Sequence, residues 1–186
     1  AKEQGKVYVS PYNDPQVIAG QGTIALELLE QLPRLDVVYV SIGGGGLISG
    51  IGSVLKAFSP STRIVGVSAV NSAALAASIR TGHNVEVTHF DTLADGCAGG
   101  IDEASITLQL GTEVIDDLID CSEDQIADGL RHLAWTEKML VEGSAGLAQA
   151  AWQADASNCK GKVSAVILCG ANFDRERIAS VITAPQ

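Results

Sequence analysis

Apolar residues along this chain follow two alternating rhythms. Short runs rich in β-branched residues predict strands over 36–42, 63–69 and 163–168, with shorter ones at 7–9, 84–88 and 117–121. Helical spacing between them predicts helices over 23–32, 47–58 and 72–80, within 103–110, from 123 to about 138, and over 144–154 and 173–182. In the second of these, Leu47, Ile48, Ile51, Val54, Leu55 and Phe58 recur on one face. Ser122 and Gln125 have the spacing of a capping box. Residues 10–15 and 59–61 read as turns, and the rest of 81–100 reads as irregular. Strands alternating with helices predict an α/β fold, a doubly wound parallel sheet with helices on both faces. In such sheets ligands gather at the carboxyl ends of the strands. Two of those ends carry distinctive residues: Gly43, Gly44, Gly45 and Gly46 after the strand at 36–42, and Cys169, Gly170, Ala171 and Asn172 after the strand at 163–168.

Composition narrows the function classes. With 186 residues and 46% apolar content, the chain can bury a sizeable core, and we expect a single cofactor-binding α/β domain over 1–186. A formal charge of −10 without a Lys/Arg cluster argues against nucleic acid and anionic membranes as partners. No apolar run reaches the length of a membrane span. Cys97, Cys121, Cys159 and Cys169 have neither CxxC spacing nor the density of a secreted disulfide scaffold, and reduced thiols in the cytoplasm are the simplest expectation.

The four glycines join a buried strand to an amphipathic helix. Glycine lets the backbone turn tightly and brings bare N–H groups close to an anion, while the helix N-terminus adds unpaired donors and a positive dipole end. A glycine run can equally be a linker or a tight turn, but linkers lack this framing. No Gly-Lys-Ser/Thr follows, and the dinucleotide fingerprint loses its third glycine at Ile48, which leaves a small phosphorylated cofactor. His83, His89 and His132 have no metal-ligand spacing and read as surface residues.

Taken together, the segment from Asp14 to Glu27, the segment from Gly43 to Gly50, Leu93-Ala94-Asp95-Gly96, Val141 to Gly146 and Leu168 to Asn172 resemble the serine/threonine dehydratase family. These are pyridoxal-phosphate enzymes of fold type II, a family that includes serine racemase. The resemblance covers essentially the whole chain. It implies that the amides of Gly43, Gly44, Gly45, Gly46 and Leu47 hold the phosphate of pyridoxal 5'-phosphate and that Cys169 lies beside the pyridine nitrogen. A neutral thiol does not hold that nitrogen protonated as a carboxylate would, which suits β-elimination better than transamination. Read without the resemblance, Cys169 is a small buried apolar residue. Glu142 stands where relatives carry a carboxylate near the ring, and equally where an acid favours a helix N-terminus. Tyr12 falls near the ring by position, and Asp95 reads as a turn residue.

Two departures qualify the match. Relatives often bind a divalent cation through a carboxylate at the end of the strand equivalent to 63–69. Here Ser68 and Ala74 occupy the two acidic positions, so we expect no metal there. The family's anchoring lysine, in a Ser-x-Lys segment ahead of the glycine loop, has no counterpart among Lys2, Lys6, Lys56, Lys138, Lys160 and Lys162. The expectation is therefore the C-terminal portion of a longer enzyme, a homodimer by family habit, with no catalytic residue in this chain. The parent reaction implied is deamination of L-threonine, L-serine or a similar β-hydroxy amino acid to a 2-oxo acid and ammonia. The alternatives are an amino-acid racemase or, for a complete chain, a non-catalytic phosphate-binding protein.

Overall fold

The computed structural model describes residues 4–184. The first elements are two short helices, α1 (Pro15–Gln21) and α2 (Thr23–Gln31). Asp14 caps α1 by accepting the amides of Gln16 (2.8 Å) and Val17 (3.2 Å), and Pro15 starts the helix where its missing N–H costs nothing. This helix begins at the last residue of the predicted turn, 10–15, and otherwise covers residues to which the sequence reading assigns no element. Strand β1 (Val37–Ser41) leads into α3 (Gly46–Phe58), β2 (Arg63–Ala69) and α4 (Ala74–Thr81). The chain then runs through an irregular stretch with one 3-10 turn, Asp95–Cys97, to α5 (Ile106–Val114) and β3 (Asp117–Cys121). The last elements are α6 (Glu123–His132), α7 (Gly143–Ala154), β4 (Ser164–Val166) and α8 (Arg175–Thr183).

The strands form one parallel sheet in the order β3-β2-β1-β4. Alternation along β1 shows how both faces are covered. Val37 and Tyr39 enter a core with Ile126 and Leu130 of α6, Ala145 and Leu147 of α7 and Ile178 of α8. Val38 and Val40 enter a second core with Ala25 of α2, Ile48, Ile51 and Leu55 of α3 and Leu75 of α4. Apolar side chains on both faces are what a fully buried parallel strand requires, and all five residues of β1 are buried.

Several boundaries differ from the sequence reading. Residues 7–9 form no strand: Val7 is 88% and Val9 57% exposed, and an extended run without a partner has nothing to bond to. Residues 84–88 are likewise irregular. The helix predicted to reach 138 ends at His132 and loosens into a π-helical turn, Leu133–Glu137, before Lys138 adopts φ 62°. Phe58, placed on the buried face of α3, is 71% exposed at its end. The capping box forms as predicted: the Ser122 hydroxyl accepts the Gln125 amide, and the Gln125 side chain accepts the Ser122 amide.

Candidate functional site

The strand order reverses at β1. From it the chain steps to β2 and β3 on one side and returns to β4 on the other. A doubly wound sheet opens its ligand crevice at such a switch point, beyond the carboxyl ends of the diverging strands. The loop Gly43 to Gly46 leaves β1 there, and Cys169 lies just beyond β4.

Gly45 adopts φ +88°, the left-handed region that favours glycine, and immediately precedes α3. The Tyr12 ring lies against Gly44 so closely that a Cβ there would fall onto the ring, and Cys97 backs Gly43. The Thr107 hydroxyl donates to the Gly44 carbonyl (2.7 Å), holding the peptide from behind. Tyr12 is itself anchored, its hydroxyl accepting the Asp102 amide (3.0 Å). Among the described residues, no protein acceptor takes the amides of Gly43, Gly44, Gly45, Gly46 or Leu47, whereas the Ser49 amide already bonds to the Gly45 carbonyl (3.0 Å). Consecutive bare amides at the start of a helix of 13 residues, with no acidic side chain in its first turn, suit a phosphate.

The second wall comes from the start of α7. Glu142 stands at the N-cap position of that helix without a side-chain capping bond, and its amide donates to the Gly170 carbonyl (3.3 Å). Its carboxylate accepts the Asn172 amide (3.1 Å) and occupies the space a side chain at Gly170 would need. Glu142 thus braces the loop carrying Cys169. The Ser41 hydroxyl, at the end of β1, donates to the Ser144 carbonyl (2.6 Å) and ties this wall to the glycine loop. The Ser144 hydroxyl is buried without a hydrogen-bond partner. Burial pushes the Cys97 thiol up to about 11; the nearby Ser144 hydroxyl pulls the other way, while Cys169 and Glu142 add to the rise. Burial, then Glu142, raises the Cys169 thiol as well. Both shifts favour the neutral thiol, a weak hydrogen-bonding group, over the nucleophilic thiolate.

The crevice therefore gathers Tyr12, the glycine loop, Glu142 and Cys169 from four separate segments of the chain. Asp95 serves its own turn, accepting the Gly96 amide (2.9 Å). His83 and His89 are exposed, with His89 in contact with the Ser72 hydroxyl (2.8 Å), while His132 is half-buried. Ser68 and Ala74 are both buried, and the Ser68 hydroxyl has no partner. Thr107, Ser41, Ser144 and Cys97 were not anticipated. Ser144 had a signal, being two residues beyond Glu142 in the same motif, whereas nothing local marks Thr107 as a neighbour of Gly44 some sixty residues away (|i−j| = 63).

Residues 1–170 match the family model described as "Pyridoxal-phosphate dependent enzyme". The chain is 38% identical over 181 residues to the L-threonine ammonia-lyase of Thermotoga maritima, covering 97% of this chain and 45% of that one. It superposes on the processed form of threonine deaminase isoform 2 from Solanum lycopersicum with a TM-score of 0.89 and 32% identity, over 97% of this chain and 53% of that one. Maize serine racemase gives 0.87 and 32%, over 96% and 55%. The chain thus spans about half the length of the relatives it matches. The parallel sheet and its helical layers are those of these fold type II neighbours. Family match, relatives and fold agree that this chain belongs to the family of pyridoxal-phosphate dependent enzymes.

Proposed function

We propose that the protein to which this chain belongs is a cytoplasmic ammonia-lyase, deaminating L-threonine, L-serine or a similar β-hydroxy amino acid, and that residues 1–186 form its single cofactor-binding domain. One observation carries the placement of the cofactor: the consecutive acceptor-free amides of Gly43 to Leu47, open to the same crevice as Cys169. In this reading those amides bind the cofactor phosphate, with the start of α3 adding its dipole. Tyr12 closes one side of the loop, and Glu142 holds the 170–172 backbone so that the Cys169 thiol stays beside the ring nitrogen. The bound group supplies an electron sink for the carbanion formed when the substrate loses its α-proton. A neutral thiol at the nitrogen keeps that sink mild, favouring departure of the β-hydroxyl. The proton is moved by a lysine outside this chain, so the chain alone is inactive. The homologous lyases favour deamination; the likeness to maize serine racemase supports racemisation as a second reading, against which Ser68 and Ala74 weigh by standing at the metal-carboxylate positions. We also infer a homodimer.

The test uses the whole purified protein. Expected are bound pyridoxal phosphate and release of ammonia and a 2-oxo acid from L-threonine or L-serine, with no D-amino acid accumulating. D-serine formation without 2-oxo acid transfers the assignment to a racemase. Absence of cofactor binding, by absorbance and by thermal shift, overturns both readings. On this chain alone, borohydride should trap the cofactor on none of its lysines.

A further inference from the structure

Helix α5 opens without the cap its sequence offers. Ser105 stands at the N-cap, where a serine hydroxyl ordinarily accepts an amide of the first turn, yet it makes no such bond. The Ile106 amide goes instead to the side-chain oxygen of Asn13 (2.9 Å), 93 residues earlier in the chain. The side-chain NH2 of Asn13 donates to the Asp102 carboxylate (3.0 Å), so both ends of this carboxamide clamp the 102–106 segment. Counting protons then fixes the direction of the next bonds. Thr107, fully buried, has a single hydroxyl proton and gives it to the Gly44 carbonyl (2.7 Å), which can only accept. The Ser105 hydroxyl, 2.6 Å from that of Thr107, must therefore donate to it. Its approach to the Asn13 oxygen (3.4 Å) is left as a contact without a proton. Donors thus run from Ser105 to Thr107 to Gly44, and each bond polarises the next.

We propose that Asn13 is a positioning residue for the cofactor phosphate, capping α5 in place of Ser105 so that the Ser105 and Thr107 hydroxyls can aim the Gly45 N–H. This rests on reading the glycine loop as a phosphate cradle. The Gly44 carbonyl and the Gly45 N–H belong to one trans peptide and point in opposite directions. Fixing the carbonyl on Thr107 therefore turns the N–H away from α5, where no acceptor among the described residues takes it. A glycine peptide left unheld has a wide choice of conformations, and a donor aimed before the anion arrives avoids the entropy of ordering it on binding. Without the Asn13 carboxamide, the orphan amides at the start of α5 draw the Ser105 hydroxyl back to its own helix, and the relay breaks at its first member.

The experiment measures the affinity of the whole protein for pyridoxal phosphate and for pyridoxal, which lacks the phosphate, by absorbance, and for inorganic phosphate by phosphorus NMR. Asn13→Ala should weaken binding of pyridoxal phosphate and of phosphate about fivefold and leave that of pyridoxal unchanged. Ser105→Ala removes no capping bond and should show the same selective loss, which decides the matter if Asn13→Ala fails to fold. In Thr107→Val the relay has already ended, so adding Asn13→Ala should lower the affinity no further. Equal losses for pyridoxal phosphate and pyridoxal, full phosphate affinity in Ser105→Ala, or additive losses in the double variant overturn the proposal. A parent protein that binds phosphate but not pyridoxal phosphate sinks the functional reading alone, and the phosphate affinities then decide the role of Asn13. A parent that binds neither sinks both, and unchanged pyridoxal-phosphate affinity in every variant sinks the positioning role alone.

Discussion

At the glycine loop, single atoms decide whether a phosphate fits. Gly44 is confined by the Tyr12 ring and Gly45 by its φ of +88°, so glycine is required there for two different reasons. Gly44→Ala should weaken pyridoxal-phosphate binding about tenfold or more, since overpacking typically costs about 1–3 kcal/mol. Titration of the whole protein followed by absorbance checks this, and Tyr12→Ala in the same background should restore much of the affinity. A double variant no better than Gly44→Ala would show that the ring is not the obstacle. The glycine run was legible in the sequence because its chemistry is contiguous. The Thr107 and Ser41 hydroxyls that steady the site were not, because each is local to its own element and meets the site only after folding.

Among the elements, Gly22 of the first resemblance segment proves to be a packing device, whereas a Cβ at Gly20 would meet open space. Gly22 separates α1 from α2 and sits against Gly50 of α3, and a Cβ at Gly50 would run into the Ile18 carbonyl of α1. Backbone cannot yield as a side-chain tip can, so Gly50→Ala should destabilise by about 1–3 kcal/mol, read as a lower urea midpoint at unchanged m. Because α3 opens with amides of the proposed phosphate site, the same variant should also bind cofactor more weakly. Strands β1 and β2 were readable because burial on both faces forces continuous apolar runs. The run at 7–9 looks the same in sequence yet forms no strand, since a strand exists only with a partner. Asp14-Pro15, inside the predicted turn, carries a helix-start signal.

The whole molecule is tied together on the polar side of the sheet as well. Tyr39 of β1, fully buried, donates to Asp155 (2.6 Å), lies 2.7 Å from the Cys159 sulfur and accepts from Arg63 of β2 (3.2 Å). Arg63 also pairs with Asp155 and, at 2.8 Å, with Asp117 of β3. Burial works against the Asp155 charge, but hydrogen bonds from Tyr39, Arg63 and Asn158 outweigh it and hold the carboxyl below its usual range. A depressed folded pKa means this stabilisation is present above the unfolded value and is lost as pH falls through the folded one. Asp155→Asn should therefore cost about 2 kcal/mol at pH 7, with the gap from the parent narrowing below about pH 4. Urea unfolding across that range measures it, and a gap constant with pH would exclude the carboxylate as its origin. By itself the sequence determined the α/β class, the glycine loop and the family, because periodicity and contiguous motifs are local properties of the chain. Only the tertiary structure decided that β1 and β4 diverge around one crevice, that Glu142 braces the Cys169 loop, and that Tyr39, Arg63 and Asp155 meet. Those contacts join residues far apart in the chain, and sheet order, which no local pattern encodes, brings them together.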